Sequence, residues 1–123
     1  MDATKAFKAL SDETRLRILN LLLVRECCVC EVMQALGISQ TRASRNLAAL
    51  YDAGFLKLRK DGLWSLYSIE KEGTKNYLSD LVQAVTKALE GDKLAELDRN
   101  RLEKAERVGP SRVEQVRRGK TGR

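Results

Sequence analysis

Three cysteines stand within four positions, Cys27, Cys28 and Cys30, flanked by the carboxylates of Glu26 and Glu31. They are all the cysteines of the chain, which has no histidine. One cysteine at a helix start would read as a small hydrophobe; three crowded beside charged residues read as a thiol site. Thiolates select soft ions. Neighbouring thiols near a helix N-terminus can also have a lowered pKa, which opens them to oxidants. Zinc is not expected, because it wants histidine or a fourth cysteine. An odd number so closely spaced cannot form a disulfide framework, so the expectation is free thiols in a reducing cytoplasm. With no histidine, no phosphate-binding loop and no paired-carboxylate motif, an enzyme is not expected.

The element that positions these thiols runs over residues 27–50 and reads as two short helices joined by a tight turn. The cysteines open the first helix. Gly37 suits its C-cap, where positive φ carries no steric penalty, and Ser39 suits the N-cap of the second. Ala43, Leu47 and Leu50 form an apolar stripe on that second helix. Gln40, Thr41, Arg42, Ser44 and Arg45 are left for its polar leading turns. A helix pair with a glycine in the turn and a basic second helix is a helix-turn-helix signature, with double-stranded DNA as partner. Cys28 to Glu31 has the form of a capping box with cysteine in the cap position, a weak acceptor there. Residues two apart on a regular helix project about 200° apart, so Cys28 and Cys30 are expected to share an ion only if the first turn unwinds. Residues three apart lie about 60° apart, which would let Cys27 join Cys30 if the turn continued through Cys27.

The flanks complete a winged helix-turn-helix in the order α-α-α-α-β-β-α. Residues 3–10 form a short helix with Phe7 and Leu10 on one side. Ser11 or Asp12 caps the next, whose Leu16, Ile18, Leu19, Leu22 and Leu23 mark it as the buried central helix. After Gly54 the period changes from 3.6 to 2. Leu56 and Leu58 alternate with Lys57 and Arg59, Lys60-Asp61-Gly62 turns, and residues 63–69 return, which is a β-hairpin. Arg59 and Lys60 at its tip are expected to touch the DNA backbone. Residues 74–91 carry a stripe of Tyr77, Leu78, Leu81, Val82, Val85, Ala88 and Leu89. Part of it must cover the domain; the rest, with Phe7, reads as a two-fold dimer surface.

With 123 residues and 43% hydrophobic content the chain reads as one domain. It divides into the winged domain with its dimer helix (1–91), a charged helical extension (92–109) and a basic disordered tail (110–123). The net charge of +6 is concentrated in two places. Residues 39–60 hold five cations against Asp52, and the tail five against Glu114, so the rest of the chain is net negative. Such placement suits a polyanion. No apolar run approaches the roughly 20 residues that span a bilayer, and no signal peptide is read at the start, so a cytoplasmic protein without a membrane partner is expected.

The sequence resembles the ArsR/SmtB family of metal-responsive winged helix-turn-helix repressors. The likeness is carried by residues 9–19 (ALSDETRLRIL), 36–40 (LGISQ), 44–47 (SRNL), 53–56 (AGFL) and 62–69 (GLWSLYSI). It implies a homodimer that binds an operator and leaves it when a ligand binds. In the family, Glu-x-Cys-Val-Cys-Asp-Leu at the start of the third helix marks arsenite and antimonite sensors. Here that stretch is ECCVCEV, which carries an As(III) or Sb(III) inducer over onto Cys28 and Cys30, with no organic cofactor. Met33 stands where some members place a further cysteine, and Cys27 where leucine is usual. As(III) favours three sulfurs, which makes Cys27 the candidate third ligand. A repressor of the same fold that senses oxidants through these thiols is the alternative.

Overall fold

Side-chain caps start the helices where the chain needs them. The computed structural model describes residues 1–71, 76–109 and 112–113. Among these, the elements are α1 (Asp2–Leu10), α2 (Glu13–Val24), α3 (Val29–Leu36), α4 (Gln40–Asp52), β1 (Leu56–Asp61), β2 (Trp64–Ile69), α5 (Asn76–Ala88) and α6 (Lys93–Glu103). This is the expected winged helix-turn-helix order with one more helix at the end. Asp12 accepts from the Arg15 N–H at 3.0 Å to open α2, and Ser39 accepts from the Arg42 N–H at 3.2 Å to open α4. Gly37 closes α3 in the left-handed region at φ 66°, as a helix ending in a turn requires.

The core gathers around α2. Its Ile18, Leu19, Leu21 and Leu22 meet Val32, Met33 and Leu36 of α3, Ala43, Leu47 and Leu50 of α4, and Phe55 and Leu66 of the hairpin region. The hairpin is antiparallel, with Leu56 opposite Ile69 and Asp61 opposite Trp64. Its turn is Gly62-Leu63 rather than Lys60-Asp61-Gly62, and Lys60 and Asp61 stay in β1. A two-residue turn with glycine at positive φ (61°) matches the right-handed twist of the paired strands.

Residues 92–109, set apart in the sequence by their charge, dock on the domain. Asp92 caps α6 by accepting from the Ala95 N–H at 2.9 Å. Ala95, Asp98 and Leu102, at helical spacing, are buried as α6 lies against α2 and α3. Asp98 is fully buried and takes two hydrogen bonds from Arg17, at 2.8 and 2.9 Å. Asn20 donates to the Ala95 carbonyl at 3.0 Å and accepts from Arg99 at 2.7 Å. Of the basic tail, all but residues 112 and 113 lies outside the described residues.

A buried carboxylate stripped of its partner is costly. Arg17→Ala should therefore lower unfolding free energy by about 3–5 kcal/mol in urea denaturation followed by circular dichroism. A loss under about 1 kcal/mol would show that α6 docks without the pair.

Candidate sensing site and nucleic-acid interface

The first helical residue of α3 is Val29, which leaves Cys28 outside it as the N-cap, with extended backbone at φ −85° and ψ 169°. A residue in that conformation can turn its side chain back over the first turn. There the sulfurs of Cys28 and Cys30 meet in a disulfide, with Cα atoms 5.4 Å apart. This corrects two expectations. The pair is joined rather than left as separate thiols, and no unwinding is needed to bring the sulfurs together. The 200° divergence applies only when both residues are helical.

Cys27 lies one step further out. Its N–H donates to the Tyr67 carbonyl at 3.0 Å and its carbonyl accepts from the Tyr67 N–H at 2.8 Å, an isolated antiparallel bridge beside β2. The helix does not continue through Cys27, so the 60° relation to Cys30 lapses. Its thiol is fully buried and donates to the Arg25 carbonyl at 3.5 Å. Burial, reinforced by the Glu31 carboxylate, pushes this thiol up to about 12. Among the described residues, no three His, Cys, Asp or Glu side chains converge to hold a metal ion.

Two acids flank the cysteines, and both are engaged. Glu31, 2% exposed, accepts from the Cys28 N–H at 3.0 Å, as a capping-box glutamate does. It also takes hydrogen bonds from Arg25 and, at 3.1 Å, from Arg107. Gln34, one turn on, donates to the Glu106 carbonyl at 2.7 Å and accepts from the Glu106 N–H at 3.1 Å. The chain after α6 therefore closes over α3. Neither Arg25 nor Arg107 carried a sequence signal, since an arginine in a charged stretch does not announce a partner 76 residues away. Glu26 is paired with Arg59, whose Nε donates at 3.0 Å and whose Nη2 reaches the other carboxylate oxygen. That guanidinium holds the Glu26 carboxyl below the usual range.

On α4, Gln40, Thr41, Arg42 and Arg45 are exposed and Ser44 is half-buried, opposite the buried Ala43, Leu47 and Leu50. Arg42 donates to the Thr14 hydroxyl at 3.1 Å. Asn46, unassigned from sequence, donates to the Arg42 carbonyl at 2.8 Å and accepts from Arg15 at 3.2 Å. Arg15 also donates to the carbonyls of Ala9 at 2.6 Å and Lys8 at 3.0 Å, so one guanidinium joins α1, α2 and α4. In the wing, Arg59 and Lys60 are both exposed, but as neighbours on a strand they project to opposite faces. Neither is at the tip, which is Gly62-Leu63 with Leu63 almost fully exposed.

The apolar stripe on α5 divides. Leu78 and Val85 are already buried within the single chain, where α5 folds back on the domain. Leu81, Val82 and Leu89 are half-buried and Phe7 is 58% exposed.

A family model described as "Bacterial regulatory protein, arsR family" matches residues 12–63, from the cap of α2 to the hairpin turn. Over 83 residues the chain is 41% identical to the arsenic resistance transcriptional regulator ArsR2 of Pseudomonas putida, covering 67% of this chain and 71% of that one. The chain belongs to the ArsR family. The chain is also 43% identical over 76 residues to the cadmium resistance transcriptional regulatory protein CadC homolog of Staphylococcus aureus. That match covers 61% of this chain and 63% of the relative, so the chain spans less than two thirds of its length. In fold, the solution structure of the homodimeric winged helix-turn-helix DNA-binding domain of a possible ArsR-family regulator from Mycobacterium bovis gives a TM-score of 0.61 at 29% identity. It covers 75% of this chain and 82% of that one. Among the described residues, no helix is long and apolar enough to cross a membrane.

The burial of Cys27 has a chemical consequence, since alkylation needs an accessible thiolate. Native protein at pH 8 should take up no iodoacetamide at Cys27, and the same protein in urea should be labelled there, both read by mass spectrometry. Labelling of the native thiol within minutes would mean that the bridge to Tyr67 opens freely.

Proposed function

We propose that this ArsR-family chain is a cytoplasmic homodimeric repressor that binds double-stranded operator DNA and leaves it when As(III) or Sb(III) binds its cysteine sulfurs. The observation that carries this reading is the meeting of the Cys28 and Cys30 sulfurs at the start of the first helix of the helix-turn-helix pair. Arsenite in water is a trihydroxide. The Cys28–Cys30 disulfide must first be reduced, a dithiol reductant supplying two electrons and two protons and leaving as its own disulfide. In exchanging hydroxides for sulfurs, each thiol then gives its proton to a departing hydroxide, water leaves, and no electrons change hands. The likeness to arsenic and cadmium resistance regulators supports a soft inducer. In this reading Gln40, Thr41, Arg42, Ser44 and Arg45 meet base edges and phosphates of the major groove, and Arg59 and Lys60 meet the backbone. Phe7, Leu81, Val82 and Leu89, backed by the buried Leu78 and Val85, form the two-fold contact. It would set two α4 helices on half-sites ~10 bp apart.

A shift at the Cys28 cap moves α3, and α3 is packed on α4. That is how occupancy would alter the reading helix: the two arrangements differ in affinity for DNA, and the inducer favours one. The second reading, a thiol-based redox sensor, is favoured by the Cys28–Cys30 disulfide itself. There two thiols would give two electrons and two protons to an oxidant such as peroxide, which becomes two waters.

Fluorescence anisotropy on a DNA fragment from the protein's own promoter tests both. Under reducing conditions arsenite should release wild type, whereas Cys28→Ser and Cys30→Ser should stay bound. Release by peroxide alone, with no response to arsenite, would replace the first reading by the second. Cys27 is the third sulfur in this proposal. X-ray absorption of arsenite-loaded protein should count three sulfurs in wild type and two in Cys27→Ser; an unchanged count removes Cys27 from the site.

A further inference from the structure

We propose that Glu26 is a positioning residue that decides whether Arg59 reaches DNA: this carboxylate and an operator phosphate compete for one guanidinium, and the state of the cysteines sets the winner. The inference rests on the regulator reading above and adds the route by which the wing takes part.

Glu26 immediately precedes the cysteine segment, and Arg59 lies on β1, 33 residues away in sequence. The pair bridges the candidate sensor and the wing through side chains. A second tie runs beside it through the backbone, where both hydrogen bonds of the Cys27–Tyr67 bridge fasten the sensor segment to β2. Cys28 follows directly, so a change in its cap conformation must be absorbed by Cys27 and Glu26. The bridge limits what Cys27 can absorb. Glu26 takes up the rest.

The chemistry of the pair suits exchange. Arg59 uses Nε and Nη2 on the two oxygens of one carboxylate, the same fork that fits a phosphate. The Arg59 side chain is 54% exposed and that of Glu26 30%. An ion pair so open to water is weak, and a phosphate on a DNA backbone can displace the carboxylate. By contrast, Arg17 is held by a carboxylate, that of Asp98, which is itself fully buried, and its own side chain is only 20% exposed. In the structure the Cys28 and Cys30 sulfurs are joined and Arg59 is held by Glu26. We assign this combination to the DNA-released state, sulfurs drawn together and wing cation withdrawn, with arsenic bridging the two sulfurs standing in the same relation as the disulfide. When a dithiol reductant has supplied two electrons and two protons to the disulfide and no arsenic is bound, the sulfurs separate, Glu26 relaxes and Arg59 turns to phosphate.

The test compares wild type, Glu26→Gln and Arg59→Gln on the promoter fragment across a salt series under reducing conditions, with and without arsenite. Both positions are on the surface, and thermal melts by circular dichroism check that the variants are folded. Without arsenite, Arg59→Gln should show a salt slope shallower by about one, and Glu26→Gln should bind at least as tightly as wild type with the full slope. With arsenite, the residual binding of wild type should take the shallow slope. Glu26→Gln should keep the steep one and hold DNA about tenfold more tightly than wild type at the same arsenite concentration. If wild type binds and responds to arsenite but Glu26→Gln matches it in affinity and slope, Glu26 is no gate. An Arg59→Gln slope equal to wild type also overturns the inference. Wild type that binds DNA but ignores arsenite overturns the inducer reading first, and this inference with it.

Discussion

A carboxylate shut away from water is tolerated only when its oxygens are fully occupied, and Glu31 meets that condition with donors from three parts of the chain. The Cys28 N–H comes from the start of its own helix, Arg25 from just beyond α2, and Arg107 from beyond α6. Each donor fixes something else. The first makes Cys28 a cap rather than a helical residue, which is why two sulfurs two residues apart can meet. The second ties the end of the central helix to the helix-turn-helix pair. The third draws the charged C-terminal stretch over α3. Exchanging such a buried charge for well-packed apolar groups is often neutral for stability; here its weight lies in fixing which residue starts the helix.

What could be read from sequence was what is encoded locally. Gly37 and Ser39 mark one turn, Ala43, Leu47 and Leu50 mark one buried face, and Asp61-Gly62 marks one hairpin. The first two hold in the structure and the hairpin forms with its turn moved on to Gly62-Leu63; together with the likeness to the ArsR family they are enough for the fold. The cysteine geometry turned on a single residue of helix boundary: with Cys28 inside α3 the sulfurs diverge, and with Cys28 as cap they meet. The capping box of Cys28 and Glu31 is legible in the sequence, and it is what holds the Cys28 backbone extended and outside the helix. Long-range ties had no local signature at all. Arg17 and Asp98 are 81 residues apart, and Arg59 looked like any cation near a hairpin turn until Glu26 stood beside it. Periodicity identified the apolar side of α5 and said nothing of what covers it, so it could not tell that Leu78 and Val85 are already covered within the chain.

The contrast between α4 and the wing bears on how such proteins diverge. Past its caps, α4 meets its neighbours through side chains: the stripe of Ala43, Leu47 and Leu50 inward, and Arg15 on Asn46 at one edge. Gln40, Thr41 and Arg45 are exposed and carry no packing duty, so they can change one at a time while the fold stays whole. β2 is different, because its Tyr67 shares main-chain hydrogen bonds with Cys27. Such bonds depend on register, not residue type, and an insertion of one residue on either side would break both. Wing and cysteine segment are therefore coupled through the main chain, whereas the outer face of α4 is not. A chimera that respects this would trade residues between Ser39 and Ala53 and leave everything from Arg25 to Cys30, and from Leu56 to Ile69, from a single parent.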